Sequence, residues 1–399
     1  MRIPELLAPA GDMERLQFAL RYGADAVYLA GRRYGMRAAA GNFDETELRE
    51  AATLAHARGV KVYLTLNAIP RDLDLGGLPE FMALAQEIGI DALITADIGV
   101  FAMAGRYAPK VDRHISTQAG ILNTESAKAW HDLGATRVIL AREMSLDEIA
   151  NLCANKPREL ETEIFVHGAM CVSFSGRCLL SQYMAGRDAN QGSCAQPCRW
   201  KYHLVEESRP GEYLEITEDG GTHILNARDL CMIEHLADIA STGVDSLKIE
   251  GRAKSFYYAA VVTNAYRRAL DCIAAGQPID PRWIEEVKKV SHRHYSTGFF
   301  YDNSGGGQHI GDASYLCGAT VVGVVESCDE AGFATISQRN RFSVGEEMEL
   351  LTPEGTLQKF TLESMRDEKG AEMTVAPHPM QRIQMQLPKG ATPYSILRV

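Results

Sequence analysis

The sequence predicts a (β/α)8 TIM-like barrel with a cysteine-bearing insertion, followed by a small C-terminal all-β barrel domain. Three observations predict it. Short apolar runs alternate with helical periodicity over the first 170 residues. A segment holding four cysteines interrupts the series before its last strand. After a Gly-rich stretch near Asp302 the pattern changes to short alternating strands alone.

The strand runs are Glu5–Ala8, Ala26–Leu29, Val62–Leu66, Ala92–Thr95, His114–Ser116, Val138–Leu140 and Ile164–Val166, spaced by about 20 to 35 residues. Runs this short and this rich in Val, Ile and Leu suit strands buried on both faces of a parallel sheet. Helical periodicity fills the gaps, as at Met13–Tyr22, Glu45–Arg58 and Pro79–Ile88, and several helices stop at a glycine (Gly23, Gly59, Gly89, Gly134). The eighth strand is deferred to Asp245–Arg252. Before it come the cysteine segment and a hairpin region at Tyr202–Glu206, Tyr213–Thr217 and His223–Asn226. A doubly wound sheet is the alternative, but no Gly-rich dinucleotide fingerprint follows the first strand. Strands at Ala319–Val325, Phe333–Ile336, Glu347–Leu351, Thr356–Leu362, Met373–Val375 and Ile383–Leu387 predict a closed β-barrel. The domains are therefore 1–301 (insertion about 171–230), a linker at 302–312, and 313–399.

Hydrophobic residues make up 46% of the chain and charged residues 23%, enough for a sizeable core and unlike a disordered chain. The net charge of −11 argues against a broad grip on phosphates. Local basic tracks with aromatic residues remain at Arg199–Tyr202, Lys288–Tyr295 and Arg339–Phe342. No apolar run approaches the roughly 18 residues that span a bilayer, and the N-terminus lacks a signal-peptide core, so a cytoplasmic protein without membrane association is expected.

Cys171, Cys178, Cys194 and Cys198 form a C-x6-C-x15-C-x3-C pattern among Gly, Ser, Asn and Pro. Four thiolates on turn-rich segments can converge on zinc or on an iron–sulfur cluster. Zinc sites usually show two tight pairs, and only Cys194 and Cys198 are that close. Cys231 can stand in for one of the four. Cys153, Cys272, Cys317 and Cys328 read as small apolar fillers.

Barrel active sites collect at the C-terminal ends of the strands. Reading strand by strand places there Asn67, Asp97, Gln118, Arg142 with Glu143, His167, and Glu250 with Arg252. His167, Glu250 and Arg252 are the catalytic candidates. Asn67, Gln118, Arg142, Arg177, Arg199 and Lys248 are the substrate-binding candidates, and their cations favour an anionic substrate. No HExxH helix, GxSxG elbow or P-loop competes. Ser173 and Ser175 lie near His167 in sequence, which does not make a nucleophile and base.

Glu163, Phe165, Gly168-Ala169-Met170-Cys171, Gly176, Cys178 and Leu180-Ser181 match E-x-F-x-x-G-A-M-C-x4-G-x-C-x-L-S, ten positions in nineteen residues. On these residues the chain resembles the peptidase U32 family. PELLAPAG, RVILAREMSLDEI, QGSCAQPCRW, LNARDL, SLKIEGRAKSFYYAA and NRFSVGEEMELLTPEG extend the likeness over nearly the whole chain. It is similar to the subgroup of prephenate-dependent tRNA uridine hydroxylases. The resemblance implies a [4Fe-4S] cluster on Cys171, Cys178, Cys194 and Cys198, prephenate as co-substrate, and oxygen-independent formation of 5-hydroxyuridine at the wobble position. The anticodon loop of tRNA would be the partner, with iron–sulfur delivery proteins as further partners. The family's other readings are a collagenase-like peptidase and a hydroxylase of ribosomal RNA.

Overall fold

The computed structural model describes residues 2–36, 41–200, 204–205, 213–214, 227–302 and 315–399. Eight parallel strands close into a barrel: β1 (Glu5–Pro9), β2 (Ala26–Leu29), β3 (Lys61–Leu66), β4 (Ala92–Thr95), β5 (Asp112–Ile115), β6 (Arg137–Ile139), β7 (Glu161–Ala169) and, after the insertion, β11 (Ser246–Ile249). β11 pairs with both β1 and β7, which completes the ring, and the deferred eighth strand is where the sequence predicts it.

Helices α1 (Met13–Arg21), α2 (Glu45–His56), α3 (Leu78–Glu87), α4 (Ile98–Tyr107), α5 (Thr124–Asp132) and α6 (Leu146–Asn155) cover the first strands. Most of them start at a strand-to-helix junction with a short polar side chain that accepts a free backbone N–H: Asp12, Asp44, Asp97, Asn123 and Ser145. Asp44 with Glu47, and Ser145 with Glu148, add the reciprocal bond of a capping box. Asp97, a strand-end candidate, is spent in this way on Val100 N–H.

The insertion carries α7 (Leu180–Ala185), a short pairing of β8 (Leu204–Val205) with β9 (Tyr213–Leu214), and β10 (Asp229–Cys231). The expected strand at His223–Asn226 and most of the expected linker lie outside the described residues. α8 (Leu236–Ser241) leads into β11; α9 (Phe256–Ala274) and α10 (Pro281–Glu286) follow, then β12 (Tyr295–Ser296). β10 was not anticipated. It runs antiparallel to the protruding end of β7, pairing Asp229 with Ala169 and Cys231 with His167.

The C-terminal strands are β13 (Val321–Cys328), β14 (Phe333–Gln338), β15 (Phe342–Ser343), β16 (Glu347–Leu351), β17 (Leu357–Thr361), β18 (Met365–Asp367), β19 (Glu372–Met373), β20 (Val375–Ala376), β21 (Arg382–Gln386) and β22 (Ile396–Arg398). Eight of them form one antiparallel sheet with β17 and β19 at its edges. It is a half-barrel, which corrects the closed barrel expected from the strand pattern. The reason lies in its two faces. Val322, Val325, Leu350 and Leu397 pack into the domain's own core. Val321, Val324, Leu351 and Ile396 join the barrel's core with Tyr257 and Trp283. With both faces covered by apolar partners, closure has no more surface to bury. Polar contacts fix the seam: the Tyr22 hydroxyl donates to Tyr394 O at 2.9 Å, and Arg398 reaches Glu286 at 2.7 Å and Glu349 at 2.6 Å.

Candidate active site at the barrel mouth

The barrel interior is polar near its floor. Arg137, only 2% exposed, contacts Glu5 at 2.6 Å, Glu161 at 2.6 Å and Glu163 at 3.1 Å. Lys248 meets Glu163 at 2.9 Å and lies over the Tyr28 ring. Its ammonium is fully interior, and desolvation, only partly offset by Glu163, lowers its pKa. Lys248 is counted from the sequence among the substrate-binding cations. It sits one layer below the strand end, and a carboxylate already neutralises it.

Higher up, Gly168 redirects β7. The β7–β11 register slips between Lys248 and Ile249, leaving Val166 as the extra residue. Gly168 then takes φ +109°, where a Cβ would stand 2.4 Å from Glu250 O. Only glycine allows this approach, which explains the Gly of the G-A-M-C motif. The chain leaves there as the cysteine loop.

Several candidates converge on the base of that loop. Arg142 donates to Ala169 O at 2.8 Å and stacks over Phe165. Arg199 donates to Met170 O at 3.4 Å and to Gln196 Oε1 at 2.8 Å. Glu143 accepts Ser175 N–H at 2.6 Å, holding Ser175 at φ +48° in the turn between Cys171 and Cys178. The Glu250 carboxylate accepts the Tyr28 hydroxyl at 3.4 Å. Arg252, 3% exposed, donates from Nη1 to Thr65 Oγ1 at 3.2 Å across the mouth. Asn67 lies farther round and accepts Met36 N–H at 3.2 Å, tying down the loop after β2. Arg177 is exposed between two of the cysteines.

Gln118 sits on a one-turn helix, Thr117–Ala119, directly after β5. It is 5% exposed, and among the described residues neither its amide nitrogen nor its amide oxygen has a partner. Leaving such a group unpaired costs about 1–3 kcal/mol.

His167 does not open into the mouth. It is 1% exposed, with Nδ1 at 3.2 Å from the Tyr266 hydroxyl and Nε2 at 3.4 Å from the Tyr295 hydroxyl. Desolvation lowers its pKa to about 3, so it is neutral at physiological pH. The ring of His167, a catalytic candidate in the sequence, holds β7 to the tyrosines of α9 and β12 and faces them instead of the mouth. Of the two nearby serines, Ser175 donates its hydroxyl to Glu143 at 3.4 Å, while Ser173 meets the Cys171 sulfur through its backbone N–H.

All four cysteines lie on the loop. Three of their sulfurs accept a backbone N–H from the residue two positions on: Cys171 from Ser173 at 3.4 Å, Cys178 from Leu180 at 3.3 Å, and Cys194 from Gln196 at 3.3 Å. Burial pushes the Cys198 thiol up; Arg199 opposes this, and the neighbouring Cys171, Cys194 and Cys178 add to it. Cys198 thus lies near the other three cysteines. Among the described residues, however, no three metal-ligating side chains stand at the spacing of a single ion. Cys231 lies on β10, bonded to Tyr266, and desolvation pushes its thiol up to about 11.

Sequence reasoning missed a charged group behind the loop. Arg293 and Asp229 form a buried pair, both within 4% side-chain exposure. Desolvation would raise the Asp229 carboxyl, but Arg293 holds it below its ordinary value. Burial lowers Lys254, with Asp229 opposing the shift and Arg293 and Arg199 adding to it. The signal was present in the LNARDL segment, which gave no chemistry by itself. It also removes Lys288–Tyr295 as a basic track, since His292 and Arg293 are interior. Arg339 faces Glu14 at 2.7 Å at the domain seam, and Lys201 and Tyr202 lie outside the described residues.

The fold and site define a (β/α)8 barrel protein whose mouth is roofed by a loop of four cysteines. A family model for peptidase family U32 matches residues 11–309, and the model for that family's C-terminal domain matches residues 318–398. The chain belongs to peptidase family U32. It is 37% identical to tRNA hydroxylation protein P of Escherichia coli, over 97% of this chain and 94% of that protein. It is 37% identical to tRNA hydroxylation protein P1 of Bacillus subtilis, over 99% and 94% respectively. A 23S rRNA 5-hydroxycytidine C2501 synthase of Escherichia coli is 34% identical over 81% of this chain and 49% of that protein. No helix among the described residues is long and apolar enough to cross a membrane.

Proposed function

We propose that this chain is a tRNA hydroxylase that forms 5-hydroxyuridine at the wobble position, using prephenate and no molecular oxygen, with a [4Fe-4S] cluster on Cys171, Cys178, Cys194 and Cys198. The observation that carries the reading is the match to tRNA hydroxylation proteins along both domains, covering 94% of the Escherichia coli relative's length. A match confined to the barrel would support the fold alone.

The cysteine loop supports the cluster. Three thiols accept backbone N–H groups, and Cys198 lies near the other three cysteines on the same loop. When bound, such a group supplies electron transfer or a Lewis-acidic iron. The chain's own residues do the rest. Arg142 and Arg199 hold the Ala169 and Met170 carbonyls and fix the loop over the mouth. Arg252, anchored on Thr65, supplies the charge that a dicarboxylate such as prephenate needs. Phe174, Tyr183 and Trp200, which are 51%, 90% and 41% exposed on the insertion, are stacking surfaces for the unpaired bases of an anticodon loop. Such a protein works in the cytoplasm and takes its cluster from iron–sulfur delivery proteins.

The test is nucleoside mass spectrometry of tRNA and ribosomal RNA from cells lacking the gene, then complemented with wild type or Cys171→Ser. Loss of 5-hydroxyuridine from tRNA, restored by wild type alone, is the expected result. Unchanged tRNA with a loss in ribosomal RNA would overturn the tRNA reading. A colourless, fully active Cys171→Ser protein would overturn the cluster.

A further inference from the structure

We propose that Gln118 is the residue that reads the Watson–Crick edge of the target pyrimidine. The inference rests on the hydroxylase reading above and names how that site recognises its base.

Position comes first. The turn Thr117–Ala119 stands at the C-terminal end of β5, where barrel chemistry collects. It lies directly under the cysteine loop: a Cβ on Gly120 would touch the Phe174 ring at 3.3 Å, within the turn that separates Cys171 from Cys178. Its backbone is fixed by Ser116 Oγ, which accepts Gln118 N–H at 3.4 Å, and by the Gly120 N–H bond to Thr117 O at 2.9 Å.

The side chain is the second observation. Its donor and its acceptor are both buried, and neither has a partner among the described residues. Other buried amides there, such as Asn264 and Gln338, leave only an oxygen unpaired, whereas Gln118 leaves both ends open in a fixed position under the reactive loop, poised for a ligand. An amide offers one acceptor and one donor side by side. That is the complement of uracil, whose N3–H donates and O4 accepts, and a base extruded into an enzyme pocket is read along this edge.

The third point concerns specificity. Because no group among the described residues fixes which way round the amide lies, it can turn over and meet cytosine's N3 acceptor and N4 donor equally well. Gln118 therefore selects pyrimidines without choosing between them. This fits a scaffold that has a 5-hydroxycytidine synthase among its relatives.

The experiment uses the full chain purified anaerobically with its cofactor, prephenate, and an anticodon stem-loop bearing uridine or 3-deazauridine at the target position. Single-turnover rates are measured for wild type and Gln118→Met, which keeps length and removes both polar atoms. Gln118→Met is expected to lose at least roughly tenfold on uridine, the worth of a buried hydrogen bond. The 3-deaza substrate should cost wild type a similar factor, and the two losses should not multiply when combined. The variant's melting temperature should equal or exceed wild type's, because an unpaired buried amide has been removed. Multiplying losses, or a rate equal to wild type, would overturn the assignment. So would a lower melting temperature with unchanged rate per folded molecule, which marks a structural glutamine. If wild type leaves the uridine stem-loop unmodified, the hydroxylase reading itself fails, a result distinct from any of these.

Discussion

Acid should destabilise this fold through His167, and the size of the effect follows from its surroundings. The ring is buried between Tyr258, Tyr266 and Tyr295, and its pKa is lowered to about 3. In the unfolded chain it returns to about 6.5. The folded value is the lower one, so between these limits the unfolded state binds the extra proton. Stability is then full above pH 6.5 and falls as pH drops toward 3. The slope is about 1.4 kcal/mol per pH unit, or about 5 kcal/mol across the window for this group. His114, also lowered by burial, adds to the total, so the variant and not the wild type alone isolates His167. His167→Phe keeps a ring in the cage. The Tyr266 hydroxyl keeps Val166 O at 2.8 Å and the Tyr295 hydroxyl keeps Val287 O at 2.8 Å, so neither is stranded. The variant should lose at most about 1–3 kcal/mol at pH 7.5. Urea midpoints at pH 7.5, 6, 5 and 4 read the slope. Wild type should fall more steeply than His167→Phe below pH 6.5. Parallel curves would refute the argument, and would mean that His167 is protonated in the folded state or reaches water.

Gly168→Ala should cost about 2–4 kcal/mol, combining an unfavourable positive φ with a Cβ 2.4 Å from Glu250 O; denaturant unfolding checks the stability, and on the cluster proposed above a lower iron content per folded molecule is expected as the cysteine loop shifts. Arg398→Met leaves Glu286 and Glu349 buried with Lys289 alone, so a loss of about 3–5 kcal/mol is expected, with calorimetry resolving separate transitions for barrel and half-barrel. Lys248→Met leaves Glu163 with Arg137 alone and should lower the melting temperature; in the prephenate-dependent reaction proposed above the half-saturating concentration should stay constant, and a weaker response to prephenate at full stability would place Lys248 at the substrate.

What was legible in the sequence is what local pattern encodes. Apolar runs, helix caps and the glycines that end helices depend on neighbours a few residues away, so the barrel strands emerge from Glu5 to Ile249 with their order intact. The cysteine loop was equally plain, because four thiols in one short segment need no tertiary information to be noticed. The sequence also places Gln118 and Arg252 at strand ends.

Tertiary structure decided which polar residues are available. His167 and Lys248 look no different in sequence from Gln118, yet the first two are bonded to Tyr266, Tyr295 and Glu163, residues at least 85 positions away. Whether a strand-end side chain meets a partner or an open space depends on the layer it occupies in the barrel and on what packs across from it. Neither is a periodic property of the chain. The same holds for the half-barrel: alternation predicted strands with two faces, but only the barrel helices beneath Val321, Val324, Leu351 and Ile396 made closure unnecessary. The sequence by itself determined the elements and the chemistry on offer. The three-dimensional packing determined which of that chemistry stays free to act, because burial and pairing are set by residues that meet only when the chain folds.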